Sequence, residues 1–185
     1  MKFHFDELII WLANGHVRSV PFLPNKVNII TGGSNTGKTA ILDIIDYCLF
    51  ASDHSISESM INENADWYGI RISIGDRNYT IARQAPSKGK VSKSYYFSSV
   101  GEVPTIPTTN NSEKALKTLM SAEFGIDQDT KVSYGGRTLK ANSKISLRYF
   151  LLFNTISQNI ITHSEQFFDK QNTIATGRRF PALLT

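Results

Sequence analysis

Residues 32–39 read Gly-Gly-Ser-Asn-Thr-Gly-Lys-Thr and fit the spacing G-x-x-x-x-G-K-[ST]. Those residue types at that spacing suit one task, holding a polyphosphate. Gly32, Gly33 and Gly37 leave out side chains where the backbone must close round an anion. The N–H groups that follow one another through Ser34, Asn35, Thr36, Gly37, Lys38, Thr39 and Ala40 can then form an anion-binding nest. A helix starting near Lys38 would add the positive end of its dipole. The Lys38 ammonium would reach the β- and γ-phosphates as a point charge, and the Thr39 hydroxyl would ligate Mg²⁺, which prefers oxygen donors. The expected ligands are ATP and Mg²⁺.

Such a loop needs a strand before it and a helix after it. Val27-Asn28-Ile29-Ile30 is apolar enough to be a buried strand leading in. Residues 40–50, Ala-Ile-Leu-Asp-Ile-Ile-Asp-Tyr-Cys-Leu-Phe, are apolar nearly all round, broken mainly by Asp43 and Asp46, and predict a helix buried in the domain centre.

The remaining elements follow from alternation and turn residues. Residues 5–11 predict a first strand, Asn14-Gly15 a hairpin turn, and residues 16–22 its partner. Pro24-Asn25 marks the next turn, and residues 26–30 form the strand into the loop. Residues 51–66 are polar and predict a loop or a short helix. Residues 67–74 and 79–83 alternate on either side of the turn Gly75-Asp76-Arg77-Asn78 and form a second hairpin. Residues 94–98 are a further strand, and 104–111 a Pro/Thr/Asn linker. Residues 112–124 suit an amphipathic helix capped by Asn111 or Ser112, ended by Gly125, with Ala115, Leu116, Leu119 and Phe124 inward. Residues 146–153 are apolar, as strand or helix.

Strands thus cluster before and after one glycine-loop helix instead of alternating with helices as a parallel doubly wound sheet requires. The expected fold is α/β: a mixed, mostly antiparallel sheet around one central P-loop helix.

The chain has 185 residues, 41% hydrophobic and 11% aromatic, which suits one soluble domain with a sizeable core. No apolar stretch reaches membrane-spanning length, and the start lacks the apolar segment of a signal peptide, so the cytoplasm is expected and a membrane role is not. A single cysteine, Cys48, excludes an internal disulfide and is expected as a packed core thiol. Residues 1–66 carry four Lys/Arg against eight Asp/Glu, and the remainder sixteen against eight. The excess gathers at Arg83, Lys88, Lys90 and Lys93, and at Lys131, Arg137, Lys140, Lys144 and Arg148. Such clusters suit either nucleic acid or solvated hairpin edges.

Three stretches together resemble the amino-terminal half of ATPase heads of the SMC and recombination-repair type, within the ABC superfamily. They are Arg18-Ser19-Val20-Pro21-Phe22; Asn28-Ile29-Ile30-Thr31 running through the loop into Ala40-Ile41-Leu42-Asp43-Ile44-Ile45; and Ser146 to Phe153 followed by Gln158-Asn159-Ile160-Ile161. The combination is most similar to an uncharacterised bacterial family with SMC-like heads, some of whose members neighbour defence genes. The resemblance implies that Arg18 contacts a phosphate or the adenine. It implies a catalytic role for Lys38 and for Gln158, the latter touching Mg²⁺ and the attacking water. It implies one lobe over residues 1–175, with 176–185 a tail or truncation point.

Hydrolysis in such heads also needs a strand ending in Asp-Glu and a Leu-Ser-Gly-Gly-Gln-like signature. Residues 70–76 come nearest to the first but suit a hairpin turn better, and Ser133-Tyr134-Gly135-Gly136-Arg137 suits a glycine turn. Both elements are expected from a carboxy-terminal lobe or partner chain, in a head-to-head dimer that sandwiches ATP and acts on DNA, in genome maintenance or anti-phage defence. Two other functions fit the loop: a non-hydrolytic, nucleotide-gated assembly or nucleic-acid-binding module, and a small P-loop kinase or GTPase, although the Asn-Lys-x-Asp base-reading motif of GTPases is missing.

Overall fold

The computed structural model describes residues 2–33, 37–58, 61–127, 129, 131 and 144–148. The chain divides into two compact units, residues 1–124 and 125–185. In the second, the described residues include a bridge between Lys131 and Lys144 and a buried Leu147.

Among its described residues the first unit holds a six-stranded sheet, two α-helices and one 3-10 turn (Asn62–Asn64). Its strands are β1 (Phe3–Leu12), β2 (Val17–Pro21), β3 (Ala65–Ile74), β4 (Arg77–Gln84), β5 (Ser94–Ser98) and β6 (Asn111–Ser112), in the order β2-β1-β3-β4-β5-β6. Every pairing between them is antiparallel. Helix α1 (Ala40–Cys48) follows the glycine loop, and α2 (Glu113–Glu123) follows β6.

The hairpins form where turn chemistry places them. Gly15 at φ 81° and Gly75 at φ 59° supply the left-handed backbone that tight turns need. Period-two alternation then sorts the sheet into faces. Ile9, Trp11, Trp67, Gly69, Ala82 and Tyr96 share one face, and Trp11 donates its indole N–H to Pro104 O at 2.9 Å, fastening the segment after β5 across it. Leu8, Ile10, Tyr68, Ile70, Ile81, Arg83, Tyr95 and Phe97 share the other, against which α1 packs.

Helix α1 buries Ala40, Ile44, Ile45, Tyr47 and Cys48, while Leu42 is 43% exposed. It therefore lies on one face of the sheet and is not wrapped by it. The Cys48 thiol is buried, and desolvation raises its pKa, as expected of a packed core thiol. Helix α2 is capped by Ser112, whose Oγ accepts from Ala115 N at 3.2 Å. Leu116, Met120 and Phe124 point inward from this region. Ala115 is exposed and Leu119 half-buried, because the apolar stripe runs through Met120, one position past the expected Leu119.

The strand expected at residues 26–30 is not formed, and among the described residues the sheet is antiparallel throughout instead of mixed. Residues 26–30 carry no ladder hydrogen bonds among the described residues, and Val27 and Ile29 are 87% and 80% exposed. An isolated extended segment gains its stability from neighbours on both sides, and the antiparallel sheet ends at β2 without reaching it. Asn28 instead closes a local turn, accepting from Leu23 N and donating to Leu23 O and Lys26 O.

Candidate nucleotide-binding site

The loop meets α1 through a tight first turn. Ala40 N donates to Gly37 O, Ile41 N to Lys38 O and Leu42 N to Thr39 O, at 3.1–3.3 Å, all three-residue spacings. Gly37 sits at φ 81°, a conformation that costs a side-chain-bearing residue about 1–2 kcal/mol. Ile61 roofs it, with Cδ1 3.5 Å from where a Cβ would stand.

Lys38 is exposed and bends back over the loop. Its ammonium donates to Gly32 O at 2.9 Å and to Gly33 O. The cation is thus held against the backbone that leads into the loop, next to the first turn of α1. Thr39, the residue before α1, has helical backbone angles (φ −65°, ψ −32°) and makes no side-chain cap hydrogen bond. Its hydroxyl is one oxygen donor of the kind Mg²⁺ takes together with phosphate oxygens and water.

Arg18 lies in β2 opposite Ile10, which is opposite Tyr68 on β3. That register puts Arg18 on the α1 face of the sheet, exposed and with no ion pair among the described residues. Ser34, Asn35, Thr36, Gln158 and the glycines of residues 133–137 lie outside the described residues.

Two other sequence readings are resolved by the fold. Residues 70–76 end in the β3–β4 hairpin turn at Gly75-Asp76, so Asp76 caps no parallel strand. Arg83 does not belong to a solvated basic cluster: it is 1% exposed. Its signal was present in the sequence, since it shares the parity of Tyr79 and Ile81 on the inward phase of β4. Lys88, Lys90 and Lys93 remain exposed near the turn that Ser87 and Lys90 close.

The loop, its lysine and the helix behind it define a P-loop nucleotide-binding unit. A family model described as an AAA domain matches residues 14–178, and the chain belongs to that family of AAA-type P-loop ATPases. Nucleotide binding and ATPase activity, with ATP and Mg²⁺, are its general properties. No curated protein and no solved structure matches the chain. No helix among the described residues is long and apolar enough to cross a membrane.

Proposed function

We propose that this chain is the amino-terminal lobe of an SMC-like ATPase head. It binds Mg·ATP at residues 32–40 and works when a second lobe, from a carboxy-terminal segment or a partner chain, completes it. The observation that carries this reading is the Lys38 ammonium bent back onto Gly32 O and Gly33 O, next in sequence to a Thr39 that makes no cap hydrogen bond. With nucleotide bound, Lys38 would exchange those carbonyls for β- and γ-phosphate oxygens, and Thr39 would hold the Mg²⁺ that neutralises their charge. Arg18, on the α1 face, contacts a phosphate or the adenine. Gln158 orients the attacking water.

The exposed Val27, Ile29, Ile30 and Leu42 support completion by another lobe. An apolar lead-in without ladder partners among the described residues is suited to pairing with added strands, which would bury it beside the loop. The second lobe supplies the general base and the signature donors, and two heads enclose two nucleotides. The exposed Lys88, Lys90 and Lys93 favour DNA as the substrate on which the assembly acts.

Calorimetry with Mg·ATP on the wild-type chain and on Lys38→Ala tests the binding step. Uptake by the wild type and loss in the variant are expected. No uptake by the wild type, or equal uptake by both, refutes the reading. Hydrolysis at ordinary rates by the isolated monomer would refute the division of labour between lobes.

A further inference from the structure

The end of α1 remote from the loop is gripped by a single buried cation. Arg83 Nη1 donates to Tyr47 O at 2.9 Å and to Ala51 O at 2.8 Å, and its Nε donates to Ser92 O at 2.8 Å. The guanidinium lies 4.3 Å from the Tyr47 ring centroid and 5.0 Å from that of Tyr95. Its Nη2 stands 4.0 Å from Glu113 Oε2, in the first turn of α2. Tyr47 adds a second tie, donating its hydroxyl to Gln84 O at 2.7 Å and accepting from Ser92 N at 3.0 Å.

Between these ties Phe50 adopts φ 71°, where a glycine ordinarily ends a helix. A bulky residue stays in that conformation only where its surroundings over-determine it. Here they do: Phe50 is 6% exposed, and its ring packs 5.5 Å from Tyr95. A flexible helix end would need none of this. A helix that must present its other end at a fixed height over the sheet would need all of it.

We infer that Arg83 and the Tyr47 hydroxyl together position the phosphate site from the far end of α1. By holding Tyr47 O in the last turn of α1 and Ala51 O in the segment just past it, the pair fixes the helix along its axis and so sets where Lys38 and Thr39 stand. The helix has nine residues and is rigid over about 13 Å, so displacement at one end is passed to the other. Phosphate recognition by backbone N–H groups tolerates only a few tenths of an ångström. A cation on the helix's negative end also complements its dipole. Lysine would keep that charge but lacks the planar fork that reaches three carbonyls at once.

This inference rests on the nucleotide-binding reading, and the experiment separates the two. Mg·ATP affinity is measured by calorimetry for the wild type, Arg83→Lys and Trp11→Phe, at a temperature where circular dichroism shows all three native. Trp11 lies on the opposite face of the sheet. The expected result is a Kd raised about tenfold or more in R83K. W11F should keep the wild-type Kd despite a lower Tm. Wild-type affinity in R83K overturns the positioning role and leaves the binding reading standing. An equal loss in W11F overturns it too, by showing an effect of general stability. No binding by the wild type removes both. If R83K does not fold, Tyr47→Phe replaces it. That variant retains the ring beside Arg83 but loses the ties to Gln84 and Ser92, and a rise in Kd of about threefold is expected. An unchanged Kd in Y47F then overturns the inference.

Discussion

Replacing Gly69 by alanine tests how tightly the far face of the sheet is built. Gly69 sits in β3 opposite Ile9 and Ala82. A Cβ there would stand 2.6 Å from Trp11 Cζ3, 2.8 Å from Trp11 Cη2 and 3.2 Å from Ala82 Cβ. The first two distances lie far inside carbon–carbon contact. Trp11 is 3% exposed and tethered by its indole N–H to Pro104 O, so the ring retreats only by giving up that bond. Overpacking costs about 1–3 kcal/mol, and the lost hydrogen bond adds about 1 kcal/mol. Reduced freedom of the unfolded chain returns about 0.4–1 kcal/mol. Gly69→Ala should therefore destabilise by about 2 kcal/mol, or about 4–8 °C in Tm for a chain of this size. Urea titration would show a lower midpoint at unchanged slope. Combined with Trp11→Phe, whose smaller ring makes room, the same alanine should cost under about 1 kcal/mol. A neutral single variant, or the full cost retained in the Trp11→Phe background, would refute the packing argument.

Four further outcomes follow from the described geometry. Lys38→Ala should weaken Mg·ATP binding about 10–100-fold in a calorimetric titration, the loss expected for a charge-assisted hydrogen-bond donor. Gly37→Ala should weaken it as well, because the left-handed backbone at φ 81° disfavours a Cβ by about 1–2 kcal/mol; equal affinity would deny that conformation. Ser112→Ala should lower stability by about 1 kcal/mol in a urea melt through loss of the α2 cap. Stability should fall as pH rises above about 8.5, and more steeply above about 10. There the unfolded chain releases protons from Cys48, Tyr68 and Tyr95, while desolvation raises those groups' pKa in the fold and keeps them neutral. A flat profile from about pH 8 to 11 would contradict their burial.

The hairpins were legible because their determinants are local. Asn14-Gly15 and Gly75-Asp76 specify turns that no distant residue needs to endorse, and alternation in residues 67–74 then places Ile70 and Ile72 inward. The P-loop family was legible for the same reason, since its motif lies within eight consecutive residues. Residues 26–30 were not. Their apolar character states that they prefer company, but a strand exists only where a ladder partner is present, and that information lies elsewhere in space. Arg83 shows another limit. Counting charge along the chain groups it with Lys88 and Lys90, whereas its parity with Ile81 sends it under α1, to carbonyls contributed by residues more than thirty positions earlier. In α2, Met120 takes the core position expected of Leu119 because the apolar stripe runs one residue out of phase with the expected one.

The bare segment before the loop also bears on how this protein behaves in a test tube. Val27 and Ile29 present oily side chains to solvent, with Lys26 and Asn28 between and beside them. Concentrated samples of the lone polypeptide should self-adhere through this stretch and scatter light as they age. Co-expression with whatever natural cover the segment has should yield clear, monodisperse material, and a charged residue substituted for Ile29 should do the same while forfeiting that cover.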